Sequence, residues 1–188
     1  GSAVEPILEQ HIAASDGRFR GVRISSGWHA DKKIGNVTEQ PNLLIDPRVS
    51  EAAAVLSRMG LSLDCWLYHP QLDEVAQLAD AHPGLTIILN HIGSPILGGP
   101  YRGKTDEVFK VWKAAITRVS NRNNVFIKLG AMPIRMPGFE GDRSLPPGSA
   151  EVAAAWRPWM ETCIEAFGPA RSMYCLLYTS PSPRDLRK

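Results

Sequence analysis

The chain has 188 residues, of which 44% are hydrophobic and 21% are charged, and its formal net charge is +2. This composition is typical of a soluble globular protein and provides enough apolar side chains for one domain with its own core. The small net charge and the lack of a basic stripe exclude a nucleic-acid-binding surface. No apolar run approaches the ~20 residues needed to span a bilayer, so no membrane partner is expected.

The three cysteines, Cys65, Cys163 and Cys175, are an odd number without a CxxC spacing. This pattern argues against a disulfide framework and favours a reducing compartment. The first residues lack a charged region followed by an apolar core, so no secretory signal peptide is visible. We therefore predict a cytoplasmic location, with Cys65 as a small buried thiol inside an apolar strand.

Helical and strand-like segments alternate along the chain. The spacing of apolar residues predicts helices over 6–14, 47–59, 71–81, 105–119 and 151–167. Short apolar runs predict strands over 19–24, 61–67, 86–91, 123–130 and from 171 onward. The second helix has a clear start, because Asp46 is a good N-cap and Pro47 suits the first turn. Such alternation is typical of a parallel sheet with helical crossovers.

Two architectures fit a parallel α/β pattern, the (β/α)8 barrel and the open doubly wound sheet. No GxGxxG motif follows a strand, which weakens a dinucleotide-binding interpretation. Long loops follow the strands, over 25–44, 94–103 and 131–147, as on the catalytic face of a barrel. A full barrel needs about 250 residues. We therefore predict an α/β fold that is an incomplete (β/α)8 TIM barrel with about five parallel strands.

The most informative stretch is TIILNHIGSP, over residues 86–95. A continuous apolar run of this kind is typical of a buried parallel strand, and Gly93 and Pro95 end it. His91 therefore lies at or just past the carboxyl end of a strand, the edge at which α/β folds bind ligands. The alternative is a purely structural histidine that only hydrogen-bonds to a neighbouring loop.

Four further residues are candidates for substrate binding. Tyr68 and His69 follow the strand over 61–67, and His69 could line a pocket or cap the next helix. Arg23 ends a strand, where a guanidinium could bind a substrate carboxylate or pair with a neighbouring acid. Lys128 interrupts an apolar strand, which is costly unless its charge is paired or faces a polar pocket.

The tryptophans are expected to serve packing. Trp112, Trp156 and Trp159 occupy helical positions at which they would pack against the sheet, and Trp66 is expected in the core. His11 and His82 lie in or beside helices and are expected at the surface.

With these elements placed, the chain resembles the amidohydrolase-related (amidohydrolase 2) family of TIM-barrel hydrolases, in particular its metal-dependent hydrolase and lactonase branch. The matching pieces are FRGVR (19–23), LDCWLYHPQL (63–72), LNHIGSP (89–95), FIKLG (126–130) and FGPARSMY (167–174). Each piece alone is a weak signal, and their order and spacing make the resemblance specific.

The resemblance also implies pieces that this sequence does not show. Members begin with a strand bearing H-x-H and end with a strand similar to S-N-F-P-V-D, whose Asp is catalytic or binds metal. Neither motif occurs here, so we expect a barrel truncated at both ends, with residues 1–174 as the partial domain. Residues 175–188 contain CLLYTSPSPRD, which resembles translated sequencing adaptor. We predict that they form a non-native or disordered tail.

By resemblance, the parent protein hydrolyses a carbonyl centre in a small-molecule lactone, ester or amide by activated water. His91 would be catalytic or a metal ligand, for zinc or manganese in the intact protein, and Arg23, Tyr68, His69 and Lys128 would bind substrate. Without the missing motifs the chain itself is expected to be inactive, and its open sheet edges favour a homo-oligomer. The alternative is a non-catalytic α/β small-molecule-binding domain, with a complete sheet and a pocket at a topological switch point.

Overall fold

The computed structural model describes residues 1–130 and 148–175, in which helices and parallel strands alternate. The helices are α1 (Glu5–Ala14), α2 (Pro47–Arg58), α3 (Leu72–Ala81), α4 (Thr105–Ser120) and α5 (Ser149–Phe167). The strands are β1 (Gly21–Ser25), β2 (Ser62–Trp66), β3 (Ile87–Leu89), β4 (Val125–Leu129) and β5 (Ser172–Tyr174). Each predicted element is present, and its ends differ from the prediction by at most two residues.

The strands form one sheet in the order β1-β2-β3-β4-β5, and every neighbouring pair is parallel. The order follows the chain and does not reverse anywhere in the described sheet. A doubly wound sheet would contain a reversal, which creates its switch point. The sheet is therefore a segment of a (β/α)8 barrel, as the sequence predicts.

The two faces of the sheet differ in polarity, because successive side chains of a strand point to opposite sides. One face packs against the helices and forms the core, with Cys65, Ile87, Leu89, Val125 and Ile127 all fully buried. Cys65 is thus the small buried thiol predicted for this position, and burial raises the pKa of its thiol. The opposite face, here called the inner face, carries charged side chains.

Local sequence signals explain where α2 begins. The Asp46 carboxylate accepts a hydrogen bond from the Arg48 backbone N–H at 2.8 Å, and Pro47 is the first helical residue. The Asp46 N-cap is thereby confirmed. Hydrogen bonds from the Arg48 side chain, and then from Gln40, hold the pKa of the Asp46 carboxyl well below its usual range.

Trp112 and Trp159 lie in the hydrophobic core and Trp156 is partly buried against it, in keeping with a packing role, whereas Trp66 does not lie in the core. The Trp112 and Trp159 rings are 4.7 Å apart in an aromatic group between α4 and α5. Trp66 is half-buried on the inner face, edge-on to Tyr68, with ring centroids 5.3 Å apart. A Cβ atom at Gly27 would come within 2.5 Å of the Trp66 ring, so the glycine admits this indole.

None of the helices in residues 1–130 and 148–175 has the length and apolarity that would let it cross a membrane.

His82, expected at the surface, is half-buried, and its Nε2 lies 2.8 Å from the Ser50 hydroxyl. The predicted loop 131–147 and residues 176–188 of the predicted tail lie outside the described residues. Cys175 is described, and its backbone N–H donates to the Leu129 carbonyl at 2.9 Å.

Candidate active site

Charged side chains from three strands meet on the inner face. Arg23 on β1 is in register with Asp64 on β2. The Lys128 ammonium on β4 forms an ion pair with the Asp64 carboxylate, and Arg23 Nη2 lies 3.5 Å from the same oxygen. The ion pairs anticipated for Arg23 and for Lys128 thus share one acid, which the sequence interpretation did not single out.

Asn90, directly after β3, completes this network. Its side chain is fully buried. The amide donates to Asp64 Oδ2 at 3.2 Å and accepts from Arg23 Nε at 3.3 Å, in the orientation that satisfies both of its atoms. Together with His91, these residues form what we call the Asp64 cluster: Arg23, Asp64, Asn90, His91 and Lys128.

The cluster carries an excess of positive charge. Arg23 and Lys128 supply two cations against the single carboxylate of Asp64. The Asp64 and Lys128 side chains are 16% and 19% exposed, whereas Arg23 is 42% exposed. Burial of the first two charges is tolerated because they are paired. The guanidinium keeps part of its surface open, so it can bind an anionic group.

His91 begins a left-handed turn that directly follows Asn90. The φ angles of His91, Ile92, Gly93 and Ser94 are 53°, 52°, 70° and 39°. Left-handed backbone is costly for residues other than glycine, and a run of such residues persists only where the surroundings hold it. His91 therefore lies just past the strand end, as predicted, in a conformation that its neighbours must enforce.

Three contacts hold the turn. The Trp112 indole N–H donates to the Ile92 carbonyl at 2.7 Å, and the His69 backbone N–H donates to the Ser94 carbonyl at 3.3 Å. Gly93 lies against Leu72, where a Cβ atom would come within 2.6 Å of a methyl group. These contacts come from helix α4 and from the residues at the start of α3, and they fix the backbone that carries His91.

The electrostatic surroundings of His91 keep its ring neutral. Burial lowers the pKa of His91, and the nearby cations Arg23 and Lys128 lower it further. Asp64 and a hydrogen bond with the Gly130 backbone act in the opposite direction and do not cancel the shift. The residue is only 5% exposed, and its Nδ1 atom is buried without a hydrogen-bond partner among the described residues.

The described side chains do not by themselves form a metal site. In residues 1–130 and 148–175, no three His, Cys, Asp or Glu side chains are grouped so that they could hold an ion. His91 Nδ1 is a ring nitrogen of the kind that metals bind. However, the Arg23 and Lys128 cations act on the same ring, and the Asp64 carboxylate is taken by both of them.

Tyr68 and His69 follow β2 as predicted, but their described hydrogen bonds do not reach the Asp64 cluster. The Tyr68 hydroxyl donates to the Gly35 carbonyl, and burial raises the pKa of this phenol. His69 Nδ1 accepts from the Ile96 backbone N–H at 3.1 Å. Both side chains tie loops together, and their predicted role in substrate binding stays a prediction.

Gln71, which sequence reasoning mentioned only beside His69, connects the ends of β1 and β2. Its amide N–H donates to the Ser26 carbonyl at 2.9 Å, and its oxygen accepts from the Trp28 backbone N–H at 2.9 Å. Gln71 also donates to Glu74, a carboxyl whose pKa is raised by burial. This buried network supports the loop over 25–44.

Sequential parallel strands with polar side chains gathered at the inner face near their carboxyl ends define a barrel-type α/β protein. The amidohydrolase family model matches residues 2–175. The chain therefore belongs to the amidohydrolase family, as its motifs indicated.

A curated relative is an uncharacterized protein, y4mH, from Sinorhizobium fredii. It is 28% identical over 171 residues, which are 91% of this chain and 50% of that protein. The chain thus spans about half the length of the curated relative it matches.

Solved amidohydrolase structures have the same fold. A Burkholderia multivorans amidohydrolase with bound HEPES is 21% identical with a TM-score of 0.69, over 96% of this chain and 56% of that one. A second crystal form of it, with bound zinc, is 21% identical with a TM-score of 0.68, over 92% and 55%. A Pseudomonas putida protein, provisionally named a 2-pyrone-4,6-dicarboxylic acid hydrolase, is 18% identical with a TM-score of 0.56, over 90% and 51%.

Proposed function

We propose that this chain supplies part of the active site of a hydrolase that attacks a carbonyl centre of a lactone, ester or amide with activated water. Membership of the amidohydrolase family supports hydrolysis. The observation that carries the proposal is the buried Nδ1 of His91, which has no hydrogen-bond partner within residues 1–130 and 148–175 and is influenced by two cations at the strand ends. Parallel α/β folds place their chemistry at this edge of the sheet.

The cations and the histidine have different tasks in this proposal. Arg23, which is partly open to solvent, binds a carboxylate of the substrate with its planar guanidinium. Lys128 offsets negative charge that develops on the carbonyl oxygen, because preorganised charges act strongly in a partly buried site. His91, neutral at pH 7, exchanges a proton or a hydrogen bond with the reacting group through Nδ1.

The free carboxylate or metal that would activate water is not supplied by the Asp64 cluster. Asp64 is its one carboxylate, and it is already engaged in ion pairs with Lys128 and Arg23. A zinc or manganese ion would need ligands besides His91. Among the described buried side-chain atoms of the cluster, His91 Nδ1 is the one that lacks a partner. We therefore propose that this chain binds a substrate-like molecule without turning it over.

The sequence left open a non-catalytic α/β binding domain. That hypothesis requires a topological switch point, at which the strand order reverses, and the described strand order has none. No other feature of the described residues favours it.

The test compares two stable lactams that differ by one carboxylate, pyroglutamate and 2-pyrrolidone, in an NMR titration of the 188-residue chain. We expect pyroglutamate to shift the His91 ring signals and to bind more tightly than 2-pyrrolidone. Arg23→Gln should weaken pyroglutamate binding by about tenfold, because it removes a charge-assisted contact.

Arg118→Gln is the matched control, since Arg118 pairs with Asp73 on the exposed surfaces of α4 and α3. Equal affinities for the two lactams, or an Arg23→Gln variant that binds as the parent does, would contradict the proposed substrate contact. Lactone turnover that His91→Ala abolishes would support the hydrolase but overturn the expected inactivity of this chain.

A further inference from the structure

We propose that the cleft beside Tyr101 is a second small-molecule site, which binds an uncharged carbonyl oxygen on an apolar ring compound through Tyr101 and His69. The cleft has a volume of about 510 Å³. Its lining includes His29, Pro70 and Val108 besides these two residues. No member of the Asp64 cluster lines it, so the inference goes beyond the proposed hydrolase function.

A backbone contact fixes the tautomer of His69. Its Nδ1 accepts a hydrogen bond from the Ile96 backbone N–H at 3.1 Å, so the neutral ring carries its proton on Nε2. Burial, and then the nearby His29, lowers the pKa of His69 to about 4, which keeps the ring neutral at physiological pH. Among the described residues, Nε2–H has no acceptor.

The hydrogen bond between His29 and Tyr101 has a defined direction. His29 Nδ1 accepts from the Asp31 backbone N–H at 3.0 Å, so the ring N–H of His29 in this arrangement is on Nε2. That N–H donates to the Tyr101 hydroxyl oxygen at 3.0 Å. The Tyr101 hydroxyl proton therefore remains available, and no side chain in the described part of the protein accepts it.

The two available donors are neighbours. The His69 and Tyr101 rings are in edge contact, with centroids 5.2 Å apart and planes at 70°. Both rings border the same cleft. His69 Nε2 is not among the described buried side-chain atoms that lack a partner, so it is accessible, and an oxygen that enters the cleft can accept from both donors.

The side chains that line the cleft favour an uncharged acceptor oxygen over a charged one. Pro70, Pro100, Val108 and Val111 give the cleft apolar walls that suit a hydrocarbon body. The charged lining residues have mixed signs and lie at exposed or half-buried positions: Asp31, Lys104 and Glu107. The positive charge of Lys104 is offset by the carboxylates of Asp31 and Glu107, so an entering carboxylate would meet no net positive charge and its desolvation would be costly. An uncharged carbonyl avoids that penalty.

The experiment uses three ring compounds of similar shape, cyclohexanone, cyclohexanecarboxylate and cyclohexylamine, in NMR titrations of the 188-residue chain labelled with ¹⁵N-histidine. We expect cyclohexanone to shift the His69 Nε2 signal and to bind more tightly than either charged ring. Tyr101→Phe should weaken cyclohexanone binding by about fivefold, as for one neutral hydrogen bond. Tyr174→Phe, at an exposed position on β5, is the matched control and should bind as the parent does.

A second variant, His69→Asn, covers the case in which Tyr101→Phe does not fold. The amide oxygen of the asparagine can still accept from the Ile96 backbone N–H, while the Nε2–H donor of His69 is lost. Cyclohexanone binding should therefore weaken again. The proposal is overturned if cyclohexanone does not bind at millimolar concentration, if a charged ring binds as well as the ketone, or if the folded variants bind like the parent. None of these outcomes depends on Arg23 or on pyroglutamate, so failure here is distinguishable from failure of the hydrolase proposal.

Discussion

Trp112 donates its indole N–H to the carbonyl of Ile92 at 2.7 Å, and this bond links helix α4 to the left-handed turn that carries His91. Trp112 and Ile92 are both fully buried, so water cannot replace the indole as a donor. The packing role that the sequence predicts for Trp112 is thus correct but incomplete. The same side chain stabilises an unfavourable backbone conformation beside the candidate active site.

Trp112→Phe should separate these two roles. The phenyl ring keeps most of the apolar contact, but the Ile92 carbonyl loses its donor, which costs about 1–3 kcal/mol in the free energy of unfolding. Urea unfolding measures this loss, and the His91 ring signals should shift in the folded variant. Trp156→Phe is the control, because the buried Trp156 Nε1 has no partner among the described residues, and its removal should not destabilise the protein. Equal losses in the two variants would refute a special role for the Trp112 bond.

Gly93→Ala tests the requirement for glycine in the same turn. A Cβ atom at Gly93 would meet Leu72 at 2.6 Å, and the residue has a φ of +70°. Strain and overlap together should lower the free energy of unfolding by about 2–4 kcal/mol. Gly60→Ala has a similar φ of +66° with nothing within 4 Å, so it should show the strain alone, at about 1 kcal/mol. Thermal unfolding measures the stability loss of each variant. Equal losses would show that Leu72 moves away without cost and would contradict the contribution from overlap.

Stability should depend on pH through His69. Its folded pKa is lowered from the usual 6.5 to about 4, so the unfolded chain binds more protons as the pH falls. The stabilisation is therefore complete above about pH 6.5 and is lost towards about pH 4, with a slope of up to about 1.4 kcal/mol per pH unit. Urea unfolding across this range measures the slope. His69→Asn should flatten it, although His91, whose pKa is also lowered, contributes in the same direction. An unchanged slope in this variant would assign the dependence to other groups.

Asp64→Asn should expose the repulsion between the cations of the cluster. Without the carboxylate, Arg23 and Lys128 have no neutralising partner there, and we expect the free energy of unfolding to fall by about 1–3 kcal/mol. Pyroglutamate should bind more tightly to the variant, because the local positive charge increases. Asp73→Asn is the control, since its pair with Arg118 is exposed on both sides and should change stability by less than about 1 kcal/mol. Weaker pyroglutamate binding to Asp64→Asn would show that the carboxylate itself positions the anion site.

Much of this architecture could be predicted from the sequence because its signals are local. Apolar periodicity located the elements, and Asp46 with Pro47 marked the start of α2. The same pattern placed His91 just past a strand, since an apolar run followed by glycine and proline has few other readings. The position of Trp66 could not be predicted in this way, because a hydrophobic residue in a strand does not reveal which face of the sheet it occupies.

The sequence by itself determined a parallel α/β segment of barrel type and the order of its polar strand ends. Only the tertiary structure decided which groups meet. Asp64 joins Arg23 and Lys128 because strand register aligns residues far apart in the chain. Likewise, the left-handed turn at residues 91–94 exists because Trp112, Leu72 and His69 enforce it, since Gly93 is the one residue of the turn that adopts such a backbone readily. Periodicity encodes burial, whereas register and packing between distant segments assemble the site.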